Sequence, residues 1–296
     1  MANLYTWEIT LGILALVILV DLAIAIARRN SETKMSEAAG WTIFYVAAAI
    51  FFGTQISNFV DSPTAQGEFF AGWLTEYALS VDNIFVFVII LSKLKVAKEK
   101  QQLVLLYGIL IAILMRGIFI LAGAALVSRF TSIFFLFGAF LIYTAVKLVK
   151  ESEEDEADHI EHGRVVSFLR KRGASNFTIA LVAVGTTDLL FALDSIPAIF
   201  GITKDPYIVA TANIFALMGL RQLYFLIGGL MKRLIYLTEG LAVILIFIGG
   251  KLILEAGRGQ GWSVPEISIQ VSLSFIIFVI LFTTIISLVK SKGKQE

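Results

Sequence analysis

The chain has 296 residues, of which 58% are hydrophobic and 16% charged, with a mean hydropathy of +0.85 and a formal net charge of +1. That balance excludes an ordinary water-soluble domain and points to a polytopic membrane protein. A near-neutral chain with no single basic patch excludes nucleic acid as a partner, and the lack of cysteine excludes disulfides, thiolate metal sites and a Cys nucleophile.

Crossing a hydrocarbon core of about 30 Å takes about 20 apolar residues. Windows of that kind fall near 7–27, 40–60, 69–92, 103–127, 130–149, 177–201, 207–230, 233–256 and 267–289. The expected fold is therefore all-α, with about nine transmembrane helices in one membrane domain. No basic residue precedes the first window and it has no small-residue cleavage site, so it is expected to be retained as a span. Alternate loops carry Arg28, Arg29 and Lys34, four lysines over 93–100, five basic residues over 150–172, Lys232 and Arg233, and Lys290, Lys292 and Lys294. The opposite loops hold only Arg129, Lys204 and Arg258. The positive-inside rule then predicts an inner (plasma) membrane protein with its N-terminus outside and its C-terminus in the cytoplasm.

In chain order, Asp21 near the end of the first span reads as an interfacial ion pair with Arg28. After Gln55 and Asn58, the stretch 61–68 has turn chemistry and reads as an outside loop, with attraction of cations by its acids as the lesser reading. The third span holds Glu76, Asp82 and Asn83. A carboxylate near a bilayer centre costs about 2.5–3.5 kcal/mol on insertion scales, so it needs a partner or a function. The fourth span holds Arg116 and the fifth ends at Lys147. The stretch 150–172 is densely charged, carries His159 and His162, and is expected to be a solvated cytoplasmic linker, with transient metal binding by the histidines as the lesser reading.

The sixth span repeats the acid pair as Asp188 and Asp194, followed by Ser195 and Pro197. The seventh holds Asn213, Arg221 and Gln222, and the eighth Lys251. Around Arg116 and Arg221 the sequence aligns, with an aromatic residue at +3, Leu at +5 and Gly at +7. Asp82 to Arg116 is 34 residues and Asp194 to Arg221 is 27, while Arg116 to Lys147 is 31 and Arg221 to Lys251 is 30. Two three-helix repeats, about 69–151 and 176–256, follow from this order, and their opposite entry directions make them inverted. The spans 7–27, 40–60 and 267–289 are peripheral to them.

Residues six apart lie about 240° apart around a regular helix, so either the helices break near these acids or the acids divide duties. Gly185 and Pro197 offer breaks in the second stretch. The preferred arrangement brings Asp82 and Asp194 together, with Asn83 and Ser195 as neutral oxygens and Glu76 and Asp188 as further ligands. Such an oxygen-only set suits hard divalent cations, Mn²⁺, Ca²⁺ or Mg²⁺. Arg116 and Arg221 balance charge, leaving a formal −2 for one divalent cation or two protons. Asn213, Gln222, Thr186 and Thr187 read as secondary site members or as ordinary interhelical hydrogen bonds.

The stretches Glu76-Tyr-Ala-Leu-Ser-Val-Asp-Asn-Ile-Phe-Val-Phe87, Asp188 through Pro206, and Asn213 through Phe225 resemble the TerC family of membrane proteins, named for tellurium resistance. The likeness spans most of the chain and is weakest in the charged loop and at the termini. It implies a multispan transporter similar to the LysE-type superfamily, with members linked to manganese export and to metal supply for secreted enzymes. The family's intramembrane acids map onto Glu76, Asp82, Asp188 and Asp194. The resulting expectation is a divalent cation exporter, Mn²⁺ first, exchanging with protons and bearing no prosthetic group. The competing class is a membrane scaffold in tellurite or metal stress or in metalation of secreted proteins. An enzyme is not expected, since no nucleophile–base pair or phosphate-binding glycine loop is present.

Overall fold

The computed structural model describes residues 4–27, 35–130, 132–151, 153–227 and 234–292, leaving aside the side chains of Ala25, Lys98, Glu99, Glu153, Glu154, Glu156, Arg221, Ile227 and Lys292. The topology residues Arg28, Arg29, Lys34, Lys232, Arg233 and Lys294 lie outside the described residues. The helices are α1 (Leu4–Ala27), α2 (Met35–Gln55), α3 (Ala65–Lys93), α4 (Lys98–Arg129), α5 (Ile133–Lys150), α6 (Glu153–Glu161), α7 (Arg164–Lys171), α8 (Asn176–Phe200), α9 (Pro206–Met218), α10 (Leu220–Ile227), α11 (Leu237–Gly259) and α12 (Ile269–Lys292). Among the described residues, eight of these are long and apolar enough to cross a membrane: α1 to α5, α8, α11 and α12. Their outward faces are apolar, as with Ile13, Leu16 and Leu19 on α1 and Phe278, Phe282 and Ile285 on α12. A soluble bundle would place polar residues there; this one faces lipid.

The window 207–230 is not one helix. Pro206 sits in the first turn of α9, where its missing N–H costs nothing, and Asp205 caps that turn by accepting from Tyr207 N at 2.9 Å. The helix then stops at Gly219, a poor helix former, and restarts as α10. The two pieces reach opposite ends of the bundle. Thr203, just before α9, donates to Glu68 at the start of α3, whereas Tyr224 of α10 donates at 3.0 Å to Gln101, just past the turn that ends α3.

Helix α3 is central and touches α2, α6, α8, α9, α10, α11 and α12. The main core runs through α3, α4, α5, α8 and α11. A second apolar cluster joins α2, the start of α3 and α9 through Tyr45, Phe69, Trp73, Tyr207 and Phe215. The charged stretch after α5 departs from the solvated linker expected of it. It forms α6 and α7, and α6 docks on α3 with Ala157 fully buried and Lys93 ion-paired to Asp158. One small apolar residue per turn suffices for docking while the carboxylates stay in water, which a charge count over the segment does not register.

Helices α5 and α11 approach to backbone contact. A Cβ on Gly138 would lie 2.6 Å from the Gly249 carbonyl oxygen, and one on Gly249 would lie 2.8 Å from that of Gly138. Small residues at such a crossing let backbones meet, which is how membrane helices gain packing without a hydrophobic drive. Gly138→Ala should therefore lower stability by about 1–3 kcal/mol through overpacking. Gly250→Ala, where nothing lies within 4 Å of the added carbon, should be neutral or slightly stabilising. Thermal unfolding of both variants in detergent checks the contrast.

Candidate functional site

Four helices converge on one buried cation. Arg116 of α4 is 1% exposed, and its guanidinium donates to four side chains. It is ion-paired to Glu76 of α3, which is fully buried, and to Asp188 of α8, with Nη2 to Oδ1 at 3.3 Å and Nε to Oδ2 at 3.4 Å. Nη1 also donates to Ser195 Oγ on α8 and to Asn213 Oδ1 on α9, each at 3.0 Å. Two carboxylates and one guanidinium leave a formal charge of −1 at a place with no bulk water. Arginine suits this role because its planar fork serves several acceptors at once and stays charged.

The site is polar beyond those bonds. Glu76 Oε2, Thr75 Oγ1 and Ser80 Oγ on α3 and Asn213 Nδ2 on α9 are buried and make no hydrogen bond with a protein atom. Ser80 is four residues after Glu76 and shares its helix face. The cluster thus offers a carboxylate oxygen and an amide N–H to a ligand, with the Ser80 hydroxyl on the Glu76 face. Buried polar groups normally find partners, so a concentration of unpartnered ones marks a binding site more readily than a packing core.

The structure resolves the geometry of the acid pairs. Helices α3 and α8 run unbroken past all four acids, with Pro197 accommodated in the last turn of α8, so the expected helix breaks do not occur there. The acids divide duties instead. Glu76 and Asp188, the first acid of each stretch, meet at Arg116. Asp82 is buried and accepts from Thr238 Oγ1 of α11 at 2.8 Å, with Asn83 buried beside it, while Asp194 is half-buried on α8. Among the described residues, no three of the membrane acids bring carboxylate oxygens within 4.8 Å of one another. The group that meets this spacing is Asp158, Glu161 and His162 on and after α6, where Asp158 and Glu161 are also ion-paired to Lys93 and Arg170.

The secondary residues separate as well. Asn213 is a direct Arg116 partner. Thr187 donates to the Ala183 carbonyl at 2.7 Å and Thr186 to that of Val182, ordinary back-bonds of a helix. Gln222 donates at 3.1 Å to Asp21, so Asp21 is buried against α10. Its expected partner, Arg28, and the side chain of Arg221 lie outside the described residues. Sequence reading passed over Thr75, Ser80 and Thr238. Ser80 carried a signal, being one helical turn from Glu76, whereas a lone Thr in an apolar span carries none.

The integral membrane protein TerC family model matches residues 61–295. The chain is 40% identical to an uncharacterized membrane protein of Mycobacterium tuberculosis, covering 98% of this chain and 80% of that one. It is 38% identical to an uncharacterized membrane protein of Myxococcus xanthus, covering 90% and 86%. It is also 35% identical to the "Putative membrane-bound redox modulator Alx" of Escherichia coli, covering 93% and 91%. No solved structure matches the chain.

Removing one member of the buried cluster should strand the others. Arg116→Gln leaves two buried carboxylates without their cation and should cost about 3–5 kcal/mol of stability. The double variant Arg116→Gln with Glu76→Gln should recover part of that loss. Thermal unfolding of both, with Glu76→Gln alone to close the cycle, measures the coupling; additive effects would show that the pair is not interacting.

Proposed function

Because the chain belongs to the TerC family of integral membrane proteins, we propose that it exports a divalent metal cation, Mn²⁺ first, through the carboxylate site around Arg116. The observation that carries this reading is the buried cluster itself: carboxylates, hydroxyls and an amide, some of them unpartnered, gathered on helices too apolar to hold charge without cause. The atoms that could ligate a cation are all oxygen, the free Asn213 N–H being a hydrogen-bond donor that takes no part, which favours hard ions over zinc or copper. Glu76, Asp82, Asp188 and Asp194 are the acids that would take the ion, with Asn83 and Ser195 as neutral ligands.

In this reading Arg116 does more than balance charge. Its guanidinium occupies the position between Glu76 and Asp188 that a divalent ion would seek, so ion and guanidinium compete for the same oxygens. Loading the ion requires Arg116 to yield, and its return helps expel the ion. Protons that neutralise the remaining carboxylate charge supply an exchange partner. A closed transport cycle then alternates between guanidinium, proton and metal at one set of acids.

The reading includes nine crossings, with α9 and α10 together as the broken seventh, and two inverted repeats that equate α3 with α8, α4 with α9–α10, and α5 with α11. The contacts support this pairing: α4 packs on α8 as α9 packs on α3, and α5 touches α8 as α11 touches α3. It also takes the N-terminus as outside and the membrane as the inner one, on the distribution of Lys and Arg. The name of the E. coli relative is compatible with it, since a chain with no cysteine has no thiol chemistry of its own and a redox-active metal is a cargo that carboxylates can hold. The scaffold reading, in stress response or metalation of secreted proteins, has no use for a buried ionic cluster.

Asp82→Asn and Asp194→Asn, in protein that remains inserted and abundant, should reduce Mn²⁺ flux in inverted membrane vesicles to the level of empty vesicles. Wild-type flux in either variant removes that residue from the pathway. Metal content of cells with and without the protein, read for several metals together, identifies the cargo.

A further inference from the structure

Where α3, α9 and α12 begin and α8 and α11 end, the helices part around a cavity of about 490 Å³. At about 30 Å³ per molecule this holds roughly fifteen waters, so an ion can enter with its hydration shell. The space against Asp188 at the centre is about 10 Å³, too little for that. The cavity and the central cluster are thus different environments, one wet and one dry.

The charges on the cavity wall are arranged unequally. Lys204 pairs with Glu255 at 2.5 Å and Arg258 with Glu266 at 2.9 Å, so these four largely cancel. Over the whole wall, the carboxylates of Asp61, Glu68, Asp205, Glu255 and Glu266 outnumber the cations of Lys204, Lys251 and Arg258, a formal −2. Glu68 is fixed by two hydroxyls, with Thr64 donating to one carboxylate oxygen at 2.6 Å and Thr203 to the other. Lys251 is half-buried on α11, and no described carboxylate comes within the 4.0 Å of an ion pair with it; Glu68, Glu255 and Glu266 act on it through space. A lysine on a membrane helix without a direct partner is costly, and its place in this wall makes it a fixed cation where a mobile one would sit.

The cavity floor leads to the cluster along three of its own helices. Glu68 precedes Glu76 by eight residues on α3, Phe200 follows Ser195 by five on α8, and Ile208 precedes Asn213 by five on α9. At 1.5 Å per residue, the floor is about 8–12 Å from the ligands of Arg116. Phe200 closes the way, 1% exposed, with its ring so close to α4 that a Cβ on Gly123 would meet it at 2.7 Å.

We propose that this cavity is a second cation station, which takes a divalent cation with its water shell, and that Lys251 is the tethered competitor that keeps the binding weak. The purpose, preventing a released ion from returning, rests on the transport reading above; the binding does not.

The test titrates Mn²⁺ into the full-length protein in lipid nanodiscs and reads free Mn²⁺ by its EPR signal. Lys251→Met should bind Mn²⁺ tighter than wild type by about five- to tenfold, the effect of one unit charge on a divalent ion across several ångströms of wet cavity. Lys251→Arg, which keeps the fixed charge, should match wild type. Adding Glu68→Gln to Lys251→Met should abolish the gain, and Lys251→Gln replaces the methionine variant if that one misfolds. An isotherm unchanged by removing the lysine charge overturns the proposal, as does a gain that survives Glu68→Gln. Vesicle flux is measured separately: wild-type protein that moves no divalent cation sinks the transport reading, while the cavity proposal still stands or falls on the isotherms.

Discussion

A guanidinium in the middle of a bilayer has no water to turn to, so the protein must bring it every acceptor it needs. Arg116 is 1% exposed, and its hydrogen bonds reach α3, α8 and α9. That requirement fixes the rotation of those three helices about their axes and their depth relative to α4. Helices with no part in it are freer. Helices α1, α2, α5 and α12 present apolar faces outward and are held chiefly by packing, down to backbone contact at Gly138 and Gly249, with isolated hydrogen bonds such as those between Thr10 and Tyr207 and between Asp21 and Gln222.

Stability by itself is a poor explanation for such a centre. A buried ion pair can often be replaced by apolar residues of like volume with no loss, and sometimes with a gain. This cluster also carries more polar atoms than it uses internally: Glu76 Oε2, Ser80 Oγ on the same helix face, and the Asn213 amide N–H have no protein partner. A cluster selected for adhesion alone would be fully satisfied or absent. Incomplete satisfaction beside a strong fixed cation is the pattern of a site whose partners change.

Much of this was legible in the sequence because the bilayer makes the rules severe. Length and hydropathy locate the long helices, and charged residues inside them single out Glu76, Asp82, Arg116, Asp188 and Asp194 without any three-dimensional information. The pairing among them was not legible. A spacing of six residues fixes only the angle between two side chains on a regular helix, and whether α3 and α8 were regular was itself open; they are, so Glu76 and Asp82 face different neighbours. The stop at Gly219 was hidden because a 19- to 20-residue hydropathy window averages over a single glycine. The docking of α6 was hidden because it depends on one buried alanine among carboxylates.

The two acid stretches are similar in sequence and unequal in space. Glu76 is fully buried and Asp194 half-buried, and Asp82 is tied to Thr238 of α11 while Asp188 is tied to Arg116. Under the inverted-repeat reading proposed above, this inequality is what a single conformation of an alternating-access protein would show, with its two halves in different states. The same logic explains why one end of the bundle is wet and the core is dry. The cavity above Phe200 stops about 8–12 Å short of the cluster, a barrier of about one and a half to two helical turns. In the transport reading, a cation crossing that distance would have to lose water on one side and be met by carboxylates on the other. Competition between the Arg116 guanidinium and the ion for Glu76 and Asp188 would then set how long it stays.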